Sequence, residues 1–336
     1  MFGAAVRRIM KLLIWNSKQV GLLALLTTLV YQPDLIADDF PNRPVRLIVP
    51  TAAGSTQDVI ARIIQPFLER RFKQPIVIEN RPGASTMLGT EAAARSDPDG
   101  HTLVLVPTTF TINGALSSHL PFQPERDFAP LAVLVKSSQV LAINAKLPAH
   151  NVTEFVTLVR AQPERFNYAS AGVATQPFLL METFSTRAGI KLSHIPYRGG
   201  GPAALSVAMG ETQVTMLAYA GIRNYVEAGT IRALATGSLS RDPTLPALPT
   251  LAESGFPGFE GVQWLGLLAP AGTPPHLIQK LNAEVNRALE DPELIEKLKL
   301  QGASPAGGSP EEFRDLISSE IKTWREVATQ TGFTPK

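Results

Sequence analysis

From residue 45 onward, short apolar runs alternate along this chain with longer stretches in which apolar residues recur at every third or fourth position. The runs predict strands over 46–49, 76–78, 102–106, 140–143, 192–195, 214–217, 231–235 and 265–268. The stretches predict helices over 58–72, 87–96, 153–161, 178–188, 202–209, 219–228, 275–290, 292–300 and 310–331. Such an alternation implies parallel sheets flanked by helices. In the first helix, Val59, Ile60, Ile63, Ile64, Phe67 and Leu68 share one face for packing on a sheet. The last helix has Ser309 as cap, Pro310 at its first position and Glu312 three residues after the cap. Its apolar face, Phe313, Leu316, Ile317, Ile321, Trp324 and Val327, reads as core or inter-lobe packing. The stretch 238–261, with Pro243, Pro246, Pro249 and Pro257, is long for a connection; it suits a lobe boundary or a structured loop over a cleft mouth.

The N-terminus breaks this pattern. Arg7, Arg8, Lys11 and Lys18 precede an apolar run over 20–30, too short to span a membrane but suited to a secretory signal, with cleavage expected after Ala37. An uncleaved membrane anchor is the competing reading. Cleavage there lowers Lys plus Arg from 31 to 27 and Asp plus Glu from 29 to 28, so the net charge moves from +2 to −1. The basic balance thus belongs largely to the signal, and with no Lys/Arg cluster interleaved with aromatics, nucleic-acid binding is disfavoured. The chain contains no cysteine, which removes disulfides and lipid attachment and leaves an exported protein reliant on its own core. The 299 residues left of 336 point to two lobes or one large α/β domain.

Candidate chemistry is sparse. Neither a G-x-S-x-G nucleophile elbow nor a G-x-x-x-x-G-K-[ST] phosphate loop occurs. His101, His119, His150, His194 and His276 lack metal-ligand spacing. The run from Gly199 to Ala204 imitates a dinucleotide fingerprint, but the following strand ends in Ala218 and Tyr219 rather than in an acidic residue. What remains is a set of small-residue loops after predicted strands, where open α/β sheets bind ligands. The first runs through Thr51, Ala52, Ala53, Gly54, Ser55, Thr56, Gln57 and Asp58 into a helix. It presents unpaired N–H groups at the positive end of the helix dipole, a seat for a carboxylate or phosphate. An ordinary turn whose Ser or Thr caps its own helix fits the same residues. The others hold Thr108, Thr109 and Phe110; Ser170, Ala171, Gly172, Thr175 and Gln176; Tyr197, Arg198 and Gly199; and Tyr219. Turn chemistry alone accounts for any one of them; together they fit a cleft that grips an anion through amides and hydroxyls. No partnered histidine or second clustered acid lies in these loops, which argues against an exported enzyme using Ser55, Ser170 or Asp58.

Ordered motifs run over essentially the whole chain after residue 37: Val49-Pro50 leading to Gly54 and Asp58, Glu79-Asn80-Arg81-Pro82-Gly83-Ala84, Asp97-Pro98-Asp99-Gly100, Asn167-Tyr168-Ala169-Ser170, Pro196-Tyr197-Arg198-Gly199, Leu248-Pro249-Thr250, and Gly266 through Pro274. In this set the chain resembles the substrate-binding proteins of tripartite tricarboxylate transporters, the Bordetella uptake gene family. The resemblance implies a two-lobed periplasmic binding protein (type II, Venus-flytrap-like), each lobe a mostly parallel sheet flanked by helices. It further implies closure on a small carboxylate and delivery to a membrane permease. The sequence itself gives no sign of an obligate cofactor or metal, and a monomer is expected. The chain departs from the family at Gly54-Ser55-Thr56-Gln57-Asp58, where Gly-Gly-Pro-Thr-Asp is usual. It also has Phe178 where a histidine is frequent, and lacks an Asp near Ala218 or Tyr219. With Phe110, Phe178 and Tyr219 as walls, those departures leave room for an apolar or aromatic acid.

The expected lobes are 38–140 with 263–336, and 141–262. Loops 51–58 and 170–176 are the expected opposed jaws, with backbone N–H groups and ordered water supplying most hydrogen bonds. Asp58 is expected to brace its loop without touching an anionic ligand. A ligand-sensing module docking on a membrane sensor uses the same cleft and stays open as an alternative.

Overall fold

The computed structural model describes residues 40–331, apart from 118, 163 and 164. The expected export signal and its cleavage point lie outside the described residues, and no described helix is long and apolar enough to cross a membrane. The chain begins with β1 (Val45–Val49), α1 (Thr56–Phe72), β2 (Ile76–Asn80), a single 3-10 turn (Ala84–Thr86), α2 (Met87–Ala94), β3 (Thr102–Pro107) and α3 (Thr109–Leu116). A 17-residue strand, β4 (Phe128–Asn144), leads into α4 (Val152–Ala161), β5 (Asn167–Ser170), α5 (Gln176–Ala188), β6 (Ser193–Pro196), α6 (Gly200–Met209), β7 (Val214–Ala218), α7 (Tyr219–Glu227) and β8 (Ile231–Thr236). The chain then returns through β9 (Val262–Pro270), α8 (Pro275–Leu289), α9 (Pro292–Lys299), β10 (Ala303–Gly307) and α10 (Pro310–Thr331).

The strand order is β2-β1-β3-β9-β4-β7-β5-β6, with β8 and β10 also paired to β4. The groups β2-β1-β3 and β7-β5-β6 are parallel, as βαβ connections require. Every pairing made by β4 and β9 is antiparallel. Up to Ser138, β4 pairs with β9; from Gln139 it pairs with β7. At this changeover three chain segments are tied in a ring: Gln139 N–H donates to Gly261 O (2.8 Å), Gly261 N–H to Gly237 O (2.6 Å), and Gly237 N–H to Gln139 O (2.7 Å). The crossing needs glycine, because a Cβ on Gly237 would sit 3.1 Å from Gly261 Cα.

Separate apolar clusters serve the two ends of the sheet. Phe110, Phe122 and Phe128 pack together on one side, with Trp264 edge-on to Phe313. Phe155, Tyr168, Phe184 and Phe259 fill the other. The capping box of α10 forms, with Ser309 N–H donating to Glu312 Oε2 (2.8 Å) and Glu312 N–H to Ser309 Oγ (3.1 Å). Phe313, Ile317 and Ile321 of that helix are core, as their spacing predicts, while the Val327 side chain lies outside the described residues.

Four elements escaped the periodicity. The first half of β4 contains Pro130, which argues against a strand, yet the register shifts between Pro130 and Ala132 and absorbs it. β5 is four residues long, and β10 carries Pro305 and Gly307, so neither shows an apolar run. α3 starts with threonines that read as loop. In the proline-rich stretch 238–261, Leu251 and Phe259 sink into the second cluster, and Asp242 Oδ2 accepts from Ser138 Oγ of β4 at 2.6 Å.

Candidate functional site

Between β1 and α1 the chain must reverse within a few small residues. Gly54 takes the required left-handed backbone at φ 77, and the Thr51 and Ser55 hydroxyls bond to each other at 2.7 Å. Asp58, 3% exposed, braces the turn. Its Oδ2 accepts from Gly54 N–H at 2.9 Å, its Oδ1 from Asn80 Nδ2 at 3.1 Å, and both oxygens from Arg62 Nε. Asn80 Nδ2 also donates to Thr51 O at 3.1 Å, so one network holds both ends of the loop. Burial opposes ionisation of Asp58, but hydrogen bonds from Arg62, Gly54 and Asn80 outweigh it and hold the carboxyl below its ordinary range. Asp58 does not line the cavity beside this loop.

That cavity, about 100 Å³, has room for a small ligand or several waters. Six helices start at its wall: α1 at Thr56 and Gln57, α2 at Thr86, α3 at Thr109, α5 at Thr175 and Pro177, α6 at Gly199 and Gly200, and α7 at Ala218. Each helix start carries partial positive charge. Arg198, exposed at the mouth, is the one charged side chain among the described residues lining the cavity. The backbone N–H groups of Ala52, Ala53, Thr56 and Gln57, and of Gly200 and Gly201 opposite, make no hydrogen bond among the described residues.

The two walls meet closely. Ser85 Oγ donates to Val173 O (2.6 Å), and Gln176 N–H donates to Thr109 Oγ1 (3.4 Å). A Cβ on Gly201 would sit 2.9 Å from Ala53 O. Of the residues singled out in the sequence, Thr51, Thr56, Gln57, Thr109, Ala171, Thr175, Tyr197, Arg198 and Gly199 line the cavity. Ala52, Ala53, Gly54 and Ser55 form the turn behind them. Thr108 is turned away, its Oγ1 accepting from Trp264 N–H at 3.0 Å.

Several expectations are corrected. Phe110 is fully buried against Phe122 and Phe128, Phe178 packs on His194, and Tyr219 lies against Gly302; none of the three lines the cavity. Loop 170–176 has only part of its main-chain donors engaged: the N–H groups of Ala171, Val173 and Ala174 make no hydrogen bond among the described residues, and Ala171 lines the cavity. Gly172 N–H donates to Ser170 Oγ, Thr175 N–H to Gly172 O, and Gln176 N–H to Thr109. The start of α6 adds the free amides of Gly200 and Gly201 on that side. Ser170 does have a partnered histidine, its Oγ lying 2.7 Å from His194 Nε2. Ser170 is, however, fully buried, and burial pushes the His194 ring below its ordinary pKa despite the raising influence of Glu182. The pair reads as internal packing. Among the described residues, no group of three or more His, Asp or Glu could hold a metal ion.

Sequence reasoning missed the turn Gly83–Thr86 and the buried pair Gln139 and Gln263, all lining the cavity. The one signal available for the turn was Pro82-Gly83. In it, Ala84, Ser85 and Thr86 all take positive φ (45, 50 and 78), held by Asn113 Nδ2 donating to Ser85 O at 2.8 Å.

A family model described as the tripartite tricarboxylate transporter family receptor matches residues 60–333. The chain belongs to that family. Protein BugT of Bordetella pertussis is 34% identical over 298 residues, covering 88% of this chain and 91% of BugT. Two solved Rhodopseudomonas palustris proteins align closely. Rpa4515, solved with adipate, has a TM-score of 0.85 and 32% identity over 88% of this chain and 100% of its own. MatC, solved with bound malate, has a TM-score of 0.80 and 31% identity over 86% of this chain and 99% of its own. The receptor therefore has the two-lobed α/β fold of periplasmic solute-binding proteins, a class of binding and transport receptors rather than enzymes.

Proposed function

We propose that this receptor captures a small organic carboxylate in the cavity and delivers it to the membrane permease of a tripartite tricarboxylate-type transporter. The observation that carries this reading is the convergence of six helix starts on a cavity with one charged side chain, Arg198, among its described lining residues. Free amides at Thr56 and Gln57 would hold one carboxylate, and that of Gly200 would approach from the other side. Dipoles and hydroxyls of this kind stabilise an anion without the large desolvation cost of a buried ion pair. The adipate and malate bound by the two R. palustris neighbours are carboxylates of this size class. Tyr197 is the one aromatic among the described lining residues, which favours an aliphatic over an aromatic acid. The proposed lobes are 38–140 with 263–336, and 141–262; they hinge where Gln139, Gly237 and Gly261 are tied together. The receptor is expected to act as a monomer.

Titration calorimetry against mono-, di- and tricarboxylates, aromatic acids, neutral sugars and cations tests this proposal. Binding of an aliphatic acid alone is expected. If the receptor ignores every acid and takes a neutral sugar or a cation, the reading is wrong.

A further inference from the structure

At one edge of the cavity the two walls meet through backbone that ordinary residues avoid. Ala84, Ser85 and Thr86 stand in succession at φ 45, 50 and 78, a conformation costly for any L residue and most of all for a β-branched threonine. The turn is held from its own side: Asn113 Nδ2, buried on α3, donates to Ser85 O at 2.8 Å, and Thr90 Oγ1 of α2 donates to Thr86 O at 2.9 Å. Opposite, loop 170–176 places Gly172 at φ 129 and Ala174 at φ 57. These two unusual turns touch at one hydrogen bond, from Ser85 Oγ to Val173 O at 2.6 Å. Gly172 admits the contact, since a Cβ there would lie 3.0 Å from Ser85 Oγ. Ala84 and Ser85 line the cavity on one side of the bond and Ala171 on the other. Backbone in a costly conformation persists only where its surroundings impose it, and such segments cluster at clamps and switches. Here the turn carries one hydroxyl to the opposing wall.

We infer that Ser85 is a positioning residue that latches the two walls over the bound ligand, and so sets the rate of release rather than the rate of capture. This rests on the reading above, in which the walls part to admit an acid. The bonds from Asn113 and Thr90 come from α3 and α2, on the same wall as the turn, so its left-handed form survives when the walls separate. The hydroxyl is then presented ready-made, and little ordering is needed to form the latch again. Because the bond forms only after closure, it slows opening and leaves the first encounter untouched. Val173 is exposed and Ser85 half-buried, so water replaces the bond whenever the walls part, and its worth is modest. A second bond between the walls, Gln176 N–H to Thr109 Oγ1, is buried and longer at 3.4 Å.

The test is Ser85→Ala in the full chain, read by kinetics and by distance. Alanine fits this backbone as serine does, so the variant loses the hydroxyl and little else. The chain has no cysteine, so spin labels on Val77→Cys of β2 and Met209→Cys of α6, both exposed positions, report wall separation without background. With the best-binding acid present, Ser85→Ala is expected to raise the ratio of separated to closed walls about two- to tenfold. Stopped flow should show the acid leaving faster by the same factor, at an association rate within roughly twofold of wild type. A lower ligand-free melting temperature with both rates unchanged would mark the hydroxyl as part of the resting fold, and overturns the inference. A slower association with unchanged dissociation overturns it as well. Equal distances and rates while acids still bind refute the latch and leave the carboxylate reading standing. If no acid binds, the carboxylate reading fails, and the ligand-free distance distributions decide the latch alone: identical distributions in wild type and Ser85→Ala refute it.

Discussion

Gly201→Ala separates a contact made on closure from one that supports the fold. Gly201 lies in the first turn of α6 without a left-handed backbone, so alanine fits locally and should favour the helix by about 0.5–1 kcal/mol. Its Cβ, however, would stand 2.9 Å from Ala53 O, 3.0 Å from the Gly54 carbonyl carbon and 3.0 Å from Ser55 N. These are backbone atoms of a turn pinned by Asp58 and Asn80, so they cannot swing aside as a flexible side chain would. Overpacking of this kind costs roughly 1–3 kcal/mol. Charged wholly to the closed, liganded state, it weakens the best-binding acid by roughly 5- to 150-fold. The assay pairs titration calorimetry with thermal unfolding of the ligand-free protein. Expected are a large rise in Kd and a melting temperature unchanged or slightly raised. A Kd within twofold of wild type would show that the two walls do not meet when ligand is bound. An equal loss of ligand-free stability would show that the contact belongs to the resting fold, and the reasoning about closure would fail.

Three further outcomes follow from the same geometry. Asp58→Asn should destabilise the receptor by about 2–3 kcal/mol in urea unfolding at pH 7. The folded-state carboxyl sits below its unfolded value near 3.9, so the wild-type advantage is present above that pH and lost as pH falls through the folded value. A gap that persists undiminished at pH 3 contradicts the network. Arg198→Gln should cost only about two- to fivefold in affinity and make binding less salt-sensitive, since Arg198 is exposed; a hundredfold loss would make it, not the helix starts, the main anchor. Burial raises the Glu320 carboxyl, although Thr111 and Trp264 donate to it at 2.7 and 2.8 Å. A raised folded-state pKa means that its contribution is complete at low pH and declines as pH rises through that value. Glu320→Gln should therefore match wild type at pH 4 and exceed it in thermal stability at pH 8, and the reverse order at pH 8 would refute the assignment.

Much of the scaffold was legible because amphipathic helices and buried strands write themselves into spacing: the strand at Val45–Val49, helix α1 and the capping box of α10 all stand where periodicity put them. What spacing could not show was the central strand. Pro130 conceals the first half of β4, and only the register shift beside it makes a 17-residue strand possible. The site was half legible for a related reason. Loop 51–58 announces itself as small residues before a helix, whereas the free amides at Gly200 and Gly201 carry no signature that separates them from the engaged amides of Gly172, Thr175 and Gln176. Aromatic residues misled most. Phe110 follows directly on the threonines of the cavity wall, but one helical step turns it into the core. Gln139 gave no signal at all, because its importance lies in where two sets of strand pairings meet.

The distribution of the helix starts suggests why closure and binding are one event in the proposed reading. α1, α2 and α3 rise from the β1–β3 side of the cavity, while α5, α6 and α7 rise from the β5–β7 side. Each start supplies about half an elementary charge that fades within one helical turn. With the walls apart, an acid held by α1 alone feels one such site and remains largely solvated. With the walls together it lies within reach of several, in a space with less water and stronger electrostatic interaction. A ligand drives a conformational change only through its differential affinity for the two states. A buried lysine on one wall would grip the acid almost as firmly in the open state and would leave little difference to exploit. Placing the charge in backbone dipoles divided between both walls makes that difference large, and lets the acid be released when the walls part.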